Sequence, residues 1–193
     1  MRLIDIPEFG PACRFTDAHL YYALSLLKPH EHISRQTLSQ MANIGEGSIR
    51  TILKTLGDWK AISTNQMGVM ITPLGTELLN SIPIRLVNVD RSDYVIGAYQ
   101  QGILVRNIAH KITNGMYQRD RGIIAGANGG SVFMMRNGIL MMPKSWNMDV
   151  RDPEFAKHLR DKGMQENDII LICGASNVDV AILATISIAL DLL

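Results

Sequence analysis

The sequence predicts an α+β protein in two parts: an N-terminal helix-turn-helix followed by a β-hairpin, then a small α/β layer domain with a mixed sheet. Three observations carry this. Within residues 34–75, two short segments with apolar residues at helical spacing flank Asn43-Ile44-Gly45, and the second leads into a strand pattern around Ile62, a turn over 65–68 and Val69-Met70-Ile71-Thr72. After residue 82 the texture changes to short β-like runs separated by Gly and Asn. Pro83 stands directly behind the last helical pattern of the first half, so the boundary is placed there, giving domains over 1–82 and 83–193.

In the first domain, residues 1–13 read as an irregular lead-in punctuated by Pro7, Gly10 and Pro11. Thr16 or Asp17 can cap a helix that runs to about residue 28, with Leu20, Ala23, Leu24 and Leu27 on its inner side. Ser34 caps the next helix, which turns Leu38, Met41 and Ala42 inward. In the third, Ile49, Ile52, Leu53 and Leu56 make one apolar stripe, and Glu46, Gly47, Ser48, Arg50, Thr51 and Lys54 fall on the other faces. Those residue types suit a DNA major groove: arginine pairs with guanine, hydroxyls donate or accept, and lysine neutralises phosphate. The plainer alternative is a solvated helix face. The candidate DNA-binding residues are Arg35, Gly47, Ser48, Arg50, Thr51 and Lys54. A short helix over 76–82 closes the domain.

This order of elements resembles the winged helix-turn-helix of prokaryotic transcriptional regulators, over roughly residues 14–82. Ser48-Ile49-Arg50-Thr51-Ile52-Leu53-Lys54-Thr55-Leu56 matches that family's recognition helix, and Ile71-Thr72-Pro73-Leu74-Gly75 matches the segment that closes the wing and opens another helix. The resemblance implies a double-stranded DNA partner. One departure is the wing tip over 65–68, which carries no Lys or Arg, whereas wing contacts to phosphate or minor groove ordinarily use a cation.

Net charge is +1, so any attraction for nucleic acid must be local. Residues 1–82 carry seven Lys or Arg against seven Asp or Glu, and residues 83–193 twelve against eleven. Cys13 and Cys173 are far apart, without CxxC or histidine spacing, so neither a disulfide framework nor a zinc site is expected and a reducing cytoplasm is the default location. The N-terminus lacks the charged-then-apolar pattern of a signal peptide. The apolar C-terminal run is interrupted by Asp179 and Asp191 and is too short for a membrane span.

In the second domain, residues 94–99 and 103–110 read as β-like runs around a Gln100-Gln101-Gly102 turn, although Leu104, Ile108 and Ile112 also fit a helix. Residues 116–127 suggest a helix with Met116, Asp120, Ile123, Ile124 and Ala127 on one side. Residues 131–135 and 139–142 about Asn137-Gly138 form the clearest hairpin. Asp152 caps a helix that begins at Pro153 and ends at Gly163; residues 168–173 are a buried strand, 174–177 a turn and 178–192 a helix.

Two groups in this half are candidate ligand residues. Ser176 and Asn177 lie where a strand enters a helix, a position that either seats a small anionic metabolite or simply caps the helix. His110, Gln118, Arg119 and Asp120 belong to a polar knot, with Asn107 and Asn114, that a strand-then-helix reading gathers near one sheet edge. AGANGG over 125–130 lacks the GxGxxG spacing, and no GxSxG, HExxH, P-loop or catalytic Cys/His pattern occurs, so no cofactor, metal or catalytic residue is assigned. The run NGMYQRDRGIIAGANGG and the closing strand and helix resemble the C-terminal domain of uncharacterised two-domain archaeal regulators, which implies architecture and no residue roles.

The leading expectation is a transcriptional regulator whose N-terminal domain reads an operator and whose C-terminal domain dimerises and senses a small molecule. An enzyme with an appended winged helix and a winged-helix protein-interaction module stay open. Residues 178–193 are apolar around most of a helix, which predicts a homodimer with this helix at or near the seam.

Overall fold

A computed structural model describes residues 3, 15–144 and 146–193. The lead-in and Cys13 otherwise lie outside the described residues. Contacts divide the chain into two compact units between Ile82 and Pro83.

The first unit comprises α1 (Asp17–Ser25), α2 (Arg35–Met41), α3 (Glu46–Asp58), β1 (Ile62–Asn65), β2 (Gly68–Ile71) and α4 (Pro73–Ser81). Thr16 caps α1, whose Leu20, Ala23 and Leu24 are buried together with Leu27. Ser34 Oγ accepts from the Thr37 amide at 3.0 Å and starts α2. Leu38 and Ala42, one turn apart, fix the buried side of α2, so Met41, expected inward, falls about 100° from Ala42 and is exposed. Asn43 takes a positive φ of 48° and turns the chain into α3. β1 and β2 pair antiparallel with Asn65 opposite Gly68, and Asn65 Oδ1 accepts from the Met67 amide across the tip.

α4 starts at Pro73, three residues before the expected 76, because Thr72 does two jobs. Its Oγ accepts from the Gly75 amide at 3.0 Å and donates to the Lys60 carbonyl at 2.7 Å, while Pro73 supplies a first-turn residue that needs no amide partner. Gly75 is obligatory: a Cβ there would sit 2.0 Å from the Ala61 carbonyl oxygen.

The second unit holds β3 (Ile84–Val87), β4 (Tyr99–Val105), a 3-10 turn (Ala109–Lys111), α5 (Met116–Ile124), β5 (Gly129–Arg136), β6 (Ile139–Met142), β7 (Trp146–Asn147), α6 (Met148–Arg151), α7 (Pro153–Arg160), β8 (Ile169–Ala175) and α8 (Val178–Leu192). The class is α+β: helices at the N-terminus, then a six-stranded sheet with helices, in the order β3-β4-β8-β5-β6-β7. Every pairing in it is antiparallel, where a mixed sheet was expected. The reason is the position of β8. β4 and β5 run in the same direction, as strands joined through a helix do, but β8 lies between them and pairs antiparallel with both.

Helices α5 and α8 pack on one face of the sheet. On the other, Val87, Leu104, Phe133, Met135, Leu140, Ile170 and Ile172 form a core with Met148, Phe155, Ala156 and Leu159 of α6 and α7. Gln100-Gln101-Gly102, expected as a turn, is strand. Gln100 Nε2 donates to the carbonyls of Ser92 and Val95, tying β4 to the irregular segment before it, so residues 94–99 do not form the expected partner strand. The hairpin to β4 comes from β3. Asn137 and Gly138 turn β5 into β6 at φ 53° and 73°, as their residue types require.

The faces of α5 and α8 are set by what packs against them. α5 buries Gln118 and Gly122, and Met116, Asp120, Ile123 and Ile124 point outward. Close approach explains this, because a Cβ on Gly122 would lie 3.2 Å from Ile188 Cδ1 and 3.4 Å from Cys173 Sγ, and only the glycine side of α5 can come so near. α8 buries nine residues within its own unit, between the sheet and α5. Much of its apolar circumference is thus packed within the fold, with Val178 exposed and Val180 and Leu183 partly so. Among the described residues, no helix is long and apolar enough to cross a membrane.

Candidate nucleic-acid face and the ligand residues

The face of α3 is set by its buried stripe. Ile49, Ile52 and Leu56 are inaccessible, and Glu46, Gly47, Arg50, Thr51 and Lys54 are exposed on the opposite side, with Ser48 and Leu53 at the margins. Arg35 is exposed at the start of α2. None of Arg35, Arg50 and Lys54 makes an ion pair with a described residue, so their charge is available for a partner. Gly47 has no heavy atom within 4 Å of where a Cβ would be, which leaves the first turn of α3 open. Thr51 spends its hydroxyl proton on the Gly47 carbonyl at 3.2 Å and so presents an acceptor outward. The hairpin tip is Asn65 to Gly68, without a cation; Asn65 Nδ2 lies 3.2 Å from His32 Nε2.

The candidate ligand residues do not assemble into one site. Arg119 donates Nε and Nη2 to Asp120 Oδ1, at 3.0 and 2.8 Å, on the exposed side of α5. Gln118 faces the other way and is buried. His110 is exposed on the 3-10 turn, and its neighbour Lys111 donates to the carbonyl of Leu192 at the C-terminal end of α8. Ser176 and Asn177 precede the other end of that helix, roughly 22 Å away over its 15 residues. Asn177 Oδ1 accepts from the Val180 amide at 2.9 Å, a helix cap, and Ser176 Oγ donates to Asn128 Oδ1 at 3.4 Å.

A different feature offers room for a small molecule. On the α6 and α7 face, a cleft of about 770 Å³ is lined by Asp90 to Tyr94, Met142, Trp146, Arg151, Asp152, Glu154, Phe155 and His158. The Tyr94 hydroxyl donates to Asp152 Oδ2 at 3.1 Å, burial and that carboxylate raising its pKa. Arg151 stacks 4.5 Å from the Trp146 ring centre, and His158 Nε2 accepts from the Asp90 amide while Nδ1 faces Asp90 Oδ2 at 3.1 Å. Sequence reasoning passed over these residues because they come from three separated segments with no common spacing.

A model of the family described as a domain of unknown function (DUF4443) matches residues 96–192, half of the chain. The chain belongs to the DUF4443 family. The match runs from just before β4 to the end of α8, and so lies within the sheet unit. Among solved structures, the hypothetical protein PH0730 from Pyrococcus horikoshii OT3 superposes with a TM-score of 0.74 at 24% identity, covering 93% of each chain. At that identity the likeness shows a shared fold. No curated protein sequence matches the chain.

Within the DUF4443 segment, Cys173 is buried in the middle strand of the sheet, under α5 and α8. Burial pushes its thiol up to about 11, against a smaller opposing hydrogen bond from Thr185. From the usual value of 9.0, that lowers the thiolate fraction at pH 8 by about a hundredfold. Iodoacetamide at pH 8 is therefore expected to label Cys173 at least ~100 times more slowly in the native chain than in urea, measured by peptide mass mapping. Equal rates would contradict the burial.

Proposed function

We propose that this protein is a DNA-binding transcriptional regulator, whose first unit is a winged helix-turn-helix and whose α3 enters the major groove. The observation that carries the reading is the split of α3 into a wholly buried face of Ile49, Ile52 and Leu56 and an outer face bearing Arg50 and Lys54, both without an ionic partner among the described residues. The preceding α2, the tight turn at Asn43 and the trailing β1–β2 hairpin are the surroundings in which such a helix is presented to DNA. Gly47 lets the first turn approach a phosphate without a side chain in the way. The tip, lacking a cation, supports a mode in which α3 supplies most of the contact.

In this reading the sheet domain is the regulatory half, and the 770 Å³ cleft beside Trp146 and Arg151 supports a small-molecule sensing role for it. A genomic pull-down with sequencing tests the regulator. Discrete enriched sites are expected. A flat profile would instead favour a winged helix that binds protein or serves an enzyme.

A further inference from the structure

α5 carries its apolar stripe on the outside. Met116, Tyr117, Ile123 and Ile124 are 48%, 55%, 50% and 74% exposed, while Gln118 and Gly122 take the inner positions. Ordinary surface helices do the reverse. The patch extends past the end of the helix: a Cβ on Gly126 would touch Val180 Cγ1 at 3.3 Å, and Val178 is 46% exposed. Four large side chains at these exposures offer on the order of 400 Å², about half of the ~800 Å² each subunit gives to a standard interface, with the rim left to contribute the rest.

The spacing of the stripe selects its occupant. Met116 and Tyr117 stand four and three residues before Asp120, and Ile123 and Ile124 three and four after it. The pattern is therefore symmetric about Asp120, and an antiparallel copy of the same helix, related by a two-fold axis at that residue, sets Tyr117 against Ile123 and Met116 against Ile124, twice over. A two-fold interface demands such a self-matching patch. The charges match as well. Arg119 and Asp120, each about half exposed, already pair within one chain; across the axis, two arginines and two aspartates can alternate as a neutral cluster. Arg121 is held at the rim by Asp191, with its Nε donating to Asp191 Oδ2 at 2.7 Å.

We propose that a second copy of this chain docks on α5, forming a two-fold dimer centred on Asp120. This does not depend on the DNA reading. Light scattering at tens of micromolar is expected to give a dimer for the full chain and a monomer for Ile123→Glu with Ile124→Glu, whose circular dichroism should be unchanged because both side chains lie at the surface. Asp120→Cys in a Cys13→Ser background is expected to form an interchain disulfide on oxidation, and Lys157→Cys on exposed α7 is not. A monomeric wild type, a dimer that survives both glutamates, or a dimer that does not cross-link through Asp120→Cys overturns the proposal.

Discussion

Asp168→Ala is expected to cost the sheet domain about 3 kcal/mol or more. Asp168 is 2% exposed, and its carboxylate takes Arg106 Nη1 at 2.6 Å, the Asn107 amide at 2.9 Å and the Gln165 amide at 2.8 Å. Its own carbonyl accepts from the Met135 amide at 2.9 Å. The buried side chain thus joins the end of β4 to the approach to β8, while the residue's backbone holds the neighbouring strand β5. Truncation leaves two amides without their acceptor, each costing roughly 1–3 kcal/mol, and takes the ionic partner from Arg106, which is 40% exposed and keeps its bond to the Gly163 carbonyl. Asp168→Asn keeps an acceptor oxygen and should lose less. Because the chain has two units, a single transition cannot be assumed. Urea unfolding followed by Trp146 fluorescence in a Trp59→Phe background isolates the sheet domain, and a loss below about 1 kcal/mol would contradict this role for Asp168.

Arg50→Ala and Lys54→Ala are expected to weaken DNA binding in different ways. If Arg50 reads a base edge, its loss costs roughly 1–3 kcal/mol on the preferred site, about 5- to 150-fold in Kd, and relaxes selectivity at that base pair. Lys54, one turn further along the exposed side, should act on phosphate. Its loss should weaken all duplexes alike and reduce the salt slope by about 1. Fluorescence anisotropy over a salt series checks both, and the fold should hold because neither side chain is buried.

What was legible in the sequence was decided locally. Ser34, Asp152 and Asn177 each cap the helix their position suggested, Asn137-Gly138 turns the expected hairpin, and the stripe Ile49, Ile52, Leu56 fixes the inner face of α3. What failed was decided by distant partners. The Gln100-Gln101-Gly102 segment looks like a turn until Gln100 is seen holding Ser92 and Val95 from within β4. Met116, Ile123 and Ile124 share one side of α5 at helical spacing, yet that side faces outward because the close approach to Ile188 and Cys173 is met by Gly122. α8, apolar around most of its circumference, finds much of its cover inside its own domain, against the sheet and α5. The polar knot divides for a related reason: Gln118 turns inward beside Gly122 while Arg119 and Asp120 face outward, so α5 shares the group between its two sides.

The most direct measurement of the central claim is selection of bound duplexes from a random library by the full chain and by its Arg50→Ala variant. The account predicts one recurring motif for the wild type, with information lost at a base pair of that motif in the variant. Recovery of unenriched sequence by the wild type, or an identical motif from both proteins, would contradict base reading through α3.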